Sequence, residues 1–383
     1  MPIYCDHNAT TPLRAEVLEA MLPFLRDEYG NASSVHALGS RARCAVEQAR
    51  AEVAALIGAR PAEIVFTSGG TESNNLAIVG CAASRGGVIV STPIEHSSIR
   101  ESIAALEREG RTVHWLRVGV AGRIDVADVE RVLDAGGVVL VSIGSANNEI
   151  GTIQPIAAIG GVCRRHGAVL HVDAVQAAGK LPVDVDGVDL LSMSAHKIGG
   201  PKGVGALYVR GGLEIHPLLR GGGQERGRRA GTENVAGIVG MGVACRLAAS
   251  ELAAFARECA AARDALWAGL QSIVGVRRNS AAGGDCLPNT LHVSFERVRG
   301  EALVAALDLD AVAVSSGSAC AAGAGEPSPV LLALGYGADE ARDGVRFSLG
   351  RTNTVAEMER VIAITAAAVR RVRAARERKH SHG

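Results

Sequence analysis

Lys197 closes the run Leu190-Leu191-Ser192-Met193-Ser194-Ala195-His196-Lys197, and Ile198-Gly199-Gly200-Pro201 then stops any regular element. A lysine at the end of a buried strand, among small neighbours, solvates its ammonium poorly. Burial lowers its pKa, and a lysine that can be neutral is a nucleophile able to form a Schiff base. The plain alternative is a strand-end lysine reaching water. Two other stretches bear on the choice. Ser68-Gly69-Gly70-Thr71 joins an apolar run to a helical pattern. Its glycines let the backbone approach an anion, the first helical N–H groups point at that anion, and Thr71 adds a hydroxyl. A Walker A ending is absent, and an ordinary tight turn suits the loop taken alone equally well. Asp173 ends Ala168-Val169-Leu170-His171-Val172, and a carboxylate leaving a buried strand needs a partner. A helix cap or structural hydrogen bond would serve it, and so would a ring nitrogen.

The elements that must hold these residues follow from hydrophobic pattern. Apolar, β-branched runs occur at 64–67, 88–91, 113–118, 138–143, 169–173, 190–194 and 206–209, with amphipathic helices at 72–84, 97–109, 125–135 and 155–166 between them. Helices at 13–25 and 36–57 precede the series. This alternation predicts a seven-stranded, mostly parallel sheet covered on both faces. Such sheets place ligands beyond the carboxyl ends of their strands. Polar clusters fall there five times: Gly70 and Thr71; Glu95 and His96; Asn147, Asn148 and Glu149; Asp173 and Gln176; Ser194, His196 and Lys197. A Schiff-base lysine, a phosphate cradle and an aspartate for a ring nitrogen are what pyridoxal 5'-phosphate requires, and all three sit at strand ends.

From about residue 236 an alanine-rich helix, expected to about 273, leads into a smaller α/β region. That region has strands at 290–295 and 312–314 and helices near 300–307, 327–334 and 355–376. Between them lies Ser315-Ser316-Gly317-Ser318-Ala319-Cys320-Ala321-Ala322-Gly323. With no apolar pattern to offer it a core position, Cys320 reads as an accessible, reactive thiol on a mobile loop.

Lys+Arg and Asp+Glu balance at 40 each, so no global field favours nucleic acid or an anionic membrane. No apolar stretch is expected to be of membrane-spanning length, and the start lacks a signal-peptide pattern, so a cytoplasmic protein is expected. The eight cysteines form no Cys-x-x-Cys pair, so no metal site is indicated and reduced thiols, seven of them packing residues, are expected. The Arg-rich end reads as a solvated helix terminus. A dinucleotide fold is disfavoured because no G-x-G-x-x-G occurs.

Taken together, Phe66 to Asn75, Glu95-His96, Asn147 to Gly151, His171 to Gln176, Ser194 to Lys197, Arg229-Ala230-Gly231-Thr232 and Ser315 to Cys320 resemble the group I cysteine desulfurases of the IscS/NifS type. The resemblance runs from about Ile3 to Arg351, and Ser-Ser-Gly-Ser-Ala-Cys is the segment that separates group I from group II. It implies a fold-type I pyridoxal-phosphate-dependent transferase of the class V aminotransferase family, acting as a homodimer. The large domain would be 15–255; 1–14 and 256–383 would form the small domain with the catalytic cysteine loop. It further implies Lys197 as the Schiff-base lysine, Asp173 against the pyridinium, Gln176 against the phenolate oxygen and His96 stacked on the ring. Gly70, Thr71, Ser194 and His196 would hold the phosphate with Thr232 of a second copy, and Asn148 would lie beside the cofactor. Arg346 would take the carboxylate of L-cysteine, with Arg351 as the second candidate. Cys320 would receive the sulfur as a persulfide while L-alanine leaves. The expected partner is a sulfur-acceptor protein such as an iron–sulfur scaffold, or a thio-cofactor or transfer-RNA thiolation route. The alternatives are a selenocysteine lyase, another aminotransferase of the same fold, or a non-catalytic sulfur-relay scaffold. Ala321-Ala322, Pro329 and Leu332 depart from the family pattern, and no scaffold-docking extension is recognisable at the C-terminus.

Overall fold

The alternation of apolar runs and amphipathic segments becomes a sheet flanked by helices. The structure is a computed structural model and describes residues 2–119, 121–316 and 326–381; Cys320 lies outside the described residues. In chain order the strands are β1 (Ile3–Tyr4), β2 (Ile64–Thr67), β3 (Val88–Ser91), β4 (Val113–Trp115), β5 (Val138–Gly144), β6 (Val169–Asp173), β7 (Leu190–Ser194), β8 (Gly205–Val209), β9 (Val276–Arg278), β10 (Thr290–Phe295), β11 (Val312–Ala313), β12 (Ser315–Ser316) and β13 (Gly344–Ser348). The helices are α1 (Ala15–Arg26), α2 (Ala37–Leu56), α3 (Gly70–Ser84), α4 (Ser97–Arg108), α5 (Val126–Asp134), α6 (Ile156–His166), α7 (Val235–Leu270), α8 (Gly300–Leu309), α9 (Pro329–Ala333) and α10 (Val355–Ser381).

Seven strands form the main sheet in the order β2-β8-β7-β6-β5-β3-β4. β8 is antiparallel to both of its neighbours and the other pairs are parallel. Every residue of β6 and β7 is buried, as a strand covered on both faces requires. His171, at the centre of β6, is therefore enclosed between two hydroxyls, with Nδ1 2.8 Å from Ser142 Oγ and Nε2 3.0 Å from Ser192 Oγ. A second, antiparallel sheet has the order β12-β13-β10-β9, and β1 pairs with β11. Its core is separate: Leu291, Val293, Phe295, Val345 and Phe347 pack with Leu303, Leu307 and Met358.

α7 ties the two cores together. Ile238, Met241 and Cys245 belong to the main core, and Ala262, Leu266 and Leu270 to the second. At Gly242 a Cβ would lie 2.7 Å from the Ala49 Cα, so glycine allows α7 to press against α2. One expectation is corrected here. α7 has 36 residues and an 18-residue window of mean hydropathy 1.5, long and apolar enough by those measures to cross a membrane. The helix packs against α1, α2 and α10, with 39% of that window buried.

The basic end of α10 is largely exposed, as expected, and also makes surface contacts: Arg371 pairs with Asp310, and Arg373 donates to the carbonyls of Glu296 and Val274 at 3.0 and 2.8 Å. One further reading changes, and it concerns a cysteine. Among the described cysteines Cys44 is exposed, so packing does not explain it. β13 had no counterpart in the sequence pattern, because its central residue is arginine. Arg346 is nonetheless only 1% exposed.

Candidate active site

Side chains from the carboxyl ends of β2, β3, β5, β6 and β7 line one cavity of about 410 Å³. Gly70, Thr71, His96, Asn148, Asp173, Gln176, Ser194, His196, Lys197 and Arg346 are all in its wall. Thr232 is exposed and is not in the wall of its own chain's cavity. Its loop is held beside α3 by Arg229, whose Nε donates to Glu72 Oε1 at 2.9 Å.

The anion cradle is local in origin. Gly69 has φ +153, a conformation suited to glycine, and α3 starts directly after it. A Cβ on Gly70 would lie 2.7 Å from Val175 Cγ2, so glycine keeps this corner open. The first-turn N–H groups of a helix have no intrahelical acceptors and carry the positive end of its dipole.

Asp173 leaves β6 with both oxygens engaged. Oδ1 accepts from the Val175 N–H at 2.9 Å and Oδ2 from Asn74 Nδ2 at 2.7 Å. Asn74 also donates to Ser98 Oγ at 2.9 Å, and Ser98 Oγ lies 2.8 Å from His96 Nδ1. His96 caps α4, its Nδ1 also accepting from the Ser98 N–H at 3.1 Å. Two donors facing Nδ1 put the proton of the neutral ring on Nε2. Glu95, buried beside it, accepts from Thr92 Oγ1 at 2.6 Å and from the Gly144 N–H at 2.7 Å. Burial pushes its carboxyl up to about 7 despite those two bonds.

On the opposite wall the N-terminal arm meets the lysine. Lys197 Nζ donates to the carbonyls of Asn8 and Ala9 at 2.6 and 2.8 Å. His196 Nδ1 is 3.1 Å from Thr10 Oγ1. Burial, then the charges of Lys197, Lys202 and Lys180, bring its pKa down to about 4, so it is neutral at neutral pH. Gln176 Nε2 donates to the Asn8 carbonyl at 3.0 Å, and Gln176 Oε1 accepts from Lys180 Nζ at 2.8 Å.

Arg346 comes from β13. Nη2 donates to Asp6 Oδ1 at 2.7 Å and Nη1 to the Asn148 carbonyl at 2.9 Å. Its Nε is buried and, among the described residues, has no hydrogen-bond partner. β12 pairs with β13 so that Ser315 lies opposite Arg346. Beyond residue 325, Ser328 Oγ donates to Glu149 Oε2 at 2.6 Å. Both described ends of the Cys320 segment are thus held next to the cavity wall. Sequence reasoning missed Asp6, Asn8, Asn74, Ser98 and Lys180. Asn74 carried a faint signal, an amide three residues past Thr71 on the same helical face.

A family model described as Aminotransferase class-V matches residues 3–361. The chain is 48% identical over 381 residues to the cysteine desulfurase IscS of Anaeromyxobacter sp. (strain Fw109-5), covering 97% of this chain and 94% of that one. Among solved structures it is similar to a NifS-like protein, with 38% identity, a TM-score of 0.90, and 96% and 99% of the two chains covered. It is also similar to SspA in complex with cysteine, with 38% identity, a TM-score of 0.79, and 91% and 99% covered.

Proposed function

Since the chain belongs to the class V aminotransferase family, among its cysteine desulfurases, we propose that it holds pyridoxal 5'-phosphate in the cavity and transfers the sulfur of L-cysteine to Cys320. The cavity residues fit that cofactor. Gly70 leaves the space a Cβ would fill at the start of α3, Asp173 offers a fixed carboxylate, and Asn74 Oδ1 and Arg346 Nε are buried polar atoms without partners among the described residues. Lys197 would hold the aldehyde carbon, Asp173 the ring nitrogen and Gln176 the phenolate oxygen. Gly70, Thr71, Ser194 and His196 would take the phosphate, and His96 would cover the ring. Bound there, the cofactor supplies an electron sink for the pair left at the substrate Cα.

The chain's own groups do the remainder. Arg346 presents a planar fork to the substrate carboxylate, steadied by Asp6 and the Asn148 carbonyl. Lys197 Nζ removes the Cα proton of L-cysteine, and the Asn8 and Ala9 carbonyls hold the amine at the cavity wall. His196, being neutral, adds no cation beside that amine. Cys320 stands four residues beyond Ser316, a span of at most about 14 Å, and Ser315 lies opposite Arg346. The Cys320 thiolate takes the substrate sulfur as a persulfide and L-alanine is released.

The same reading makes the protein a cytoplasmic homodimer. Thr232 would reach the phosphate of the second copy, and Leu18, Leu22, Leu25, Tyr29 and Val35 are exposed apolar surface available for association. The persulfide would pass to an acceptor protein such as an iron–sulfur scaffold. The convergence of Lys197, Asp173 and the α3 N-terminus on one cavity carries the proposal. Its test is incubation with pyridoxal phosphate and L-cysteine, followed by mass analysis of the peptide containing residue 320. One added sulfur atom is expected; an unmodified peptide alongside alanine release would refute the role of Cys320.

A further inference from the structure

Lys180 is a buried nitrogen that the proposed chemistry leaves unused. It is 1% exposed, sits in the turn after β6, and among the described residues pairs with no carboxylate. Its Nζ donates to two side-chain amide oxygens, Gln176 Oε1 at 2.8 Å and Asn8 Oδ1 at 3.0 Å. Turning either amide round would set an NH₂ group against an amine that must donate. Asn8 is held from a second side as well, since Asn289 Nδ2 donates to the same Oδ1 at 3.1 Å. Among the described residues, Gln176 has only Lys180 on its oxygen. Its NH₂ is thereby directed to the Asn8 carbonyl, in the wall of the cavity.

We infer that Lys180 is a positioning residue that acts through Gln176, fixing the amide so that it offers a donor, never an acceptor, to an anionic oxygen in the cavity. The inference rests on the reading that this oxygen is the phenolate of pyridoxal phosphate. A glutamine turned the other way would set its carbonyl oxygen against that anion. The constraint belongs to the ammonium form of Lys180, which has no lone pair to accept from an NH₂ group. Burial, then the charges of Lys197 and Arg346, bring its pKa down to about 7. The ammonium has three N–H groups and no acceptor, so both amide oxygens must face it. The titratable groups that sense it are Lys197, Arg346, the Cys259 thiol, His7 and His196.

The test is a double-mutant cycle on the holoenzyme. Wild type, Lys180→Met, Gln176→Ala and the double variant are loaded with pyridoxal phosphate, and the visible band is titrated across the neutral and alkaline range. A donor lost from an anionic oxygen lets the chromophore keep its proton to higher pH. Lys180→Met should raise the midpoint by roughly 0.5–1 pH unit, the equivalent of one hydrogen bond. The same change made on Gln176→Ala should add nothing. Should Lys180→Met fail to fold, Lys180→Gln takes its place in the cycle, since its neutral end does not demand an oxygen from its neighbour. An equal shift in both backgrounds would show direct electrostatics and overturn the inference, as would no shift in the first. A wild type that takes up no chromophore would instead remove the cofactor reading, and this inference with it.

Discussion

Arg346 and Asp6, 340 positions apart in the chain, form an ion pair of 2.7 Å that joins β13 to the N-terminal arm. The arginine side chain is 2% exposed and the aspartate 20%, so the pair is shielded from solvent on the arginine side. Asp6 and the Asn148 carbonyl each engage one terminal nitrogen, and among the described residues Nε has no partner. Arg346→Lys keeps the charge and loses the fork. It should raise the KM for L-cysteine roughly 10–100-fold, with the visible band of the loaded protein unchanged. Asp6→Ala should cost about 1–3 kcal/mol in denaturant unfolding, because a mostly buried guanidinium loses its counter-charge. An unaltered KM in Arg346→Lys would remove this arginine from substrate binding.

The Asn74–Asp173 contact makes a separate claim. Asn74 Nδ2 is 2.7 Å from Asp173 Oδ2, and Asn74 also joins Asp173 through Ser98 to His96. Hydrogen bonds to charged groups contribute about 1.5–3 kcal/mol, so Asn74→Ala should weaken pyridoxal phosphate retention by roughly 10–100-fold. Dialysis with absorbance readout measures it. Unchanged retention would mean that Asp173 holds its orientation through the Val175 N–H alone.

Much of this site could be read from the chain because strand ends are local features. An apolar run followed by a polar cluster marks a carboxyl end, and a parallel sheet sends those ends to one side. Thr71, His96, Asn148, Asp173 and Lys197 were legible for that reason. Asn8 was not. Its partners Asn148, Lys180, Asn289, Thr290 and Ser348 come from four distant segments, and no periodicity announces such a hub. Lys180, in an Ala-Ala-Gly-Lys turn, has the local signature of a surface lysine. β13 escaped because a buried arginine at its centre breaks the apolar alternation. The fold resisted only where long-range pairing outweighed local pattern.

Cys320→Ser separates cofactor loading from sulfur transfer. Lys197 and Asp173 are held by Asn8, Ala9, Asn74 and Val175, none of them in the cysteine segment. The variant should therefore bind pyridoxal phosphate as the wild type does, with its visible band intact, and form no persulfide. Alanine production should fall at least about 100-fold, as expected on loss of a nucleophile. Persisting alanine and sulfide release would show that sulfur leaves without passing through this thiol.

Glu149 predicts a pH dependence of stability. Its carboxyl is buried, accepts from Ser328 Oγ at 2.6 Å, and faces Arg346, Arg100 and His96. Burial outweighs these favourable contacts and pushes its pKa up to about 7, against 4.5 for the unperturbed group. Between those values the folded chain keeps a proton that the unfolded chain has released, so this carboxyl's contribution to stability is present at low pH and is lost as pH rises to about 7. Glu95, pushed up to about 7 by the same cause, acts in the same direction. His171 and His292, buried and brought down to about 3, act oppositely, since the unfolded chain takes up their protons first as pH falls below about 6.5. The wild-type profile therefore mixes two slopes, and a single variant is needed to isolate one. Glu149→Gln preserves shape and a hydrogen-bonding end but cannot ionise. Relative to wild type it should gain about 1–3 kcal/mol between pH 5 and pH 8 in urea unfolding. A stability difference that stays flat over that interval would mean that Glu149 is ionised throughout in the folded chain, with Arg346 and Arg100 offsetting its burial.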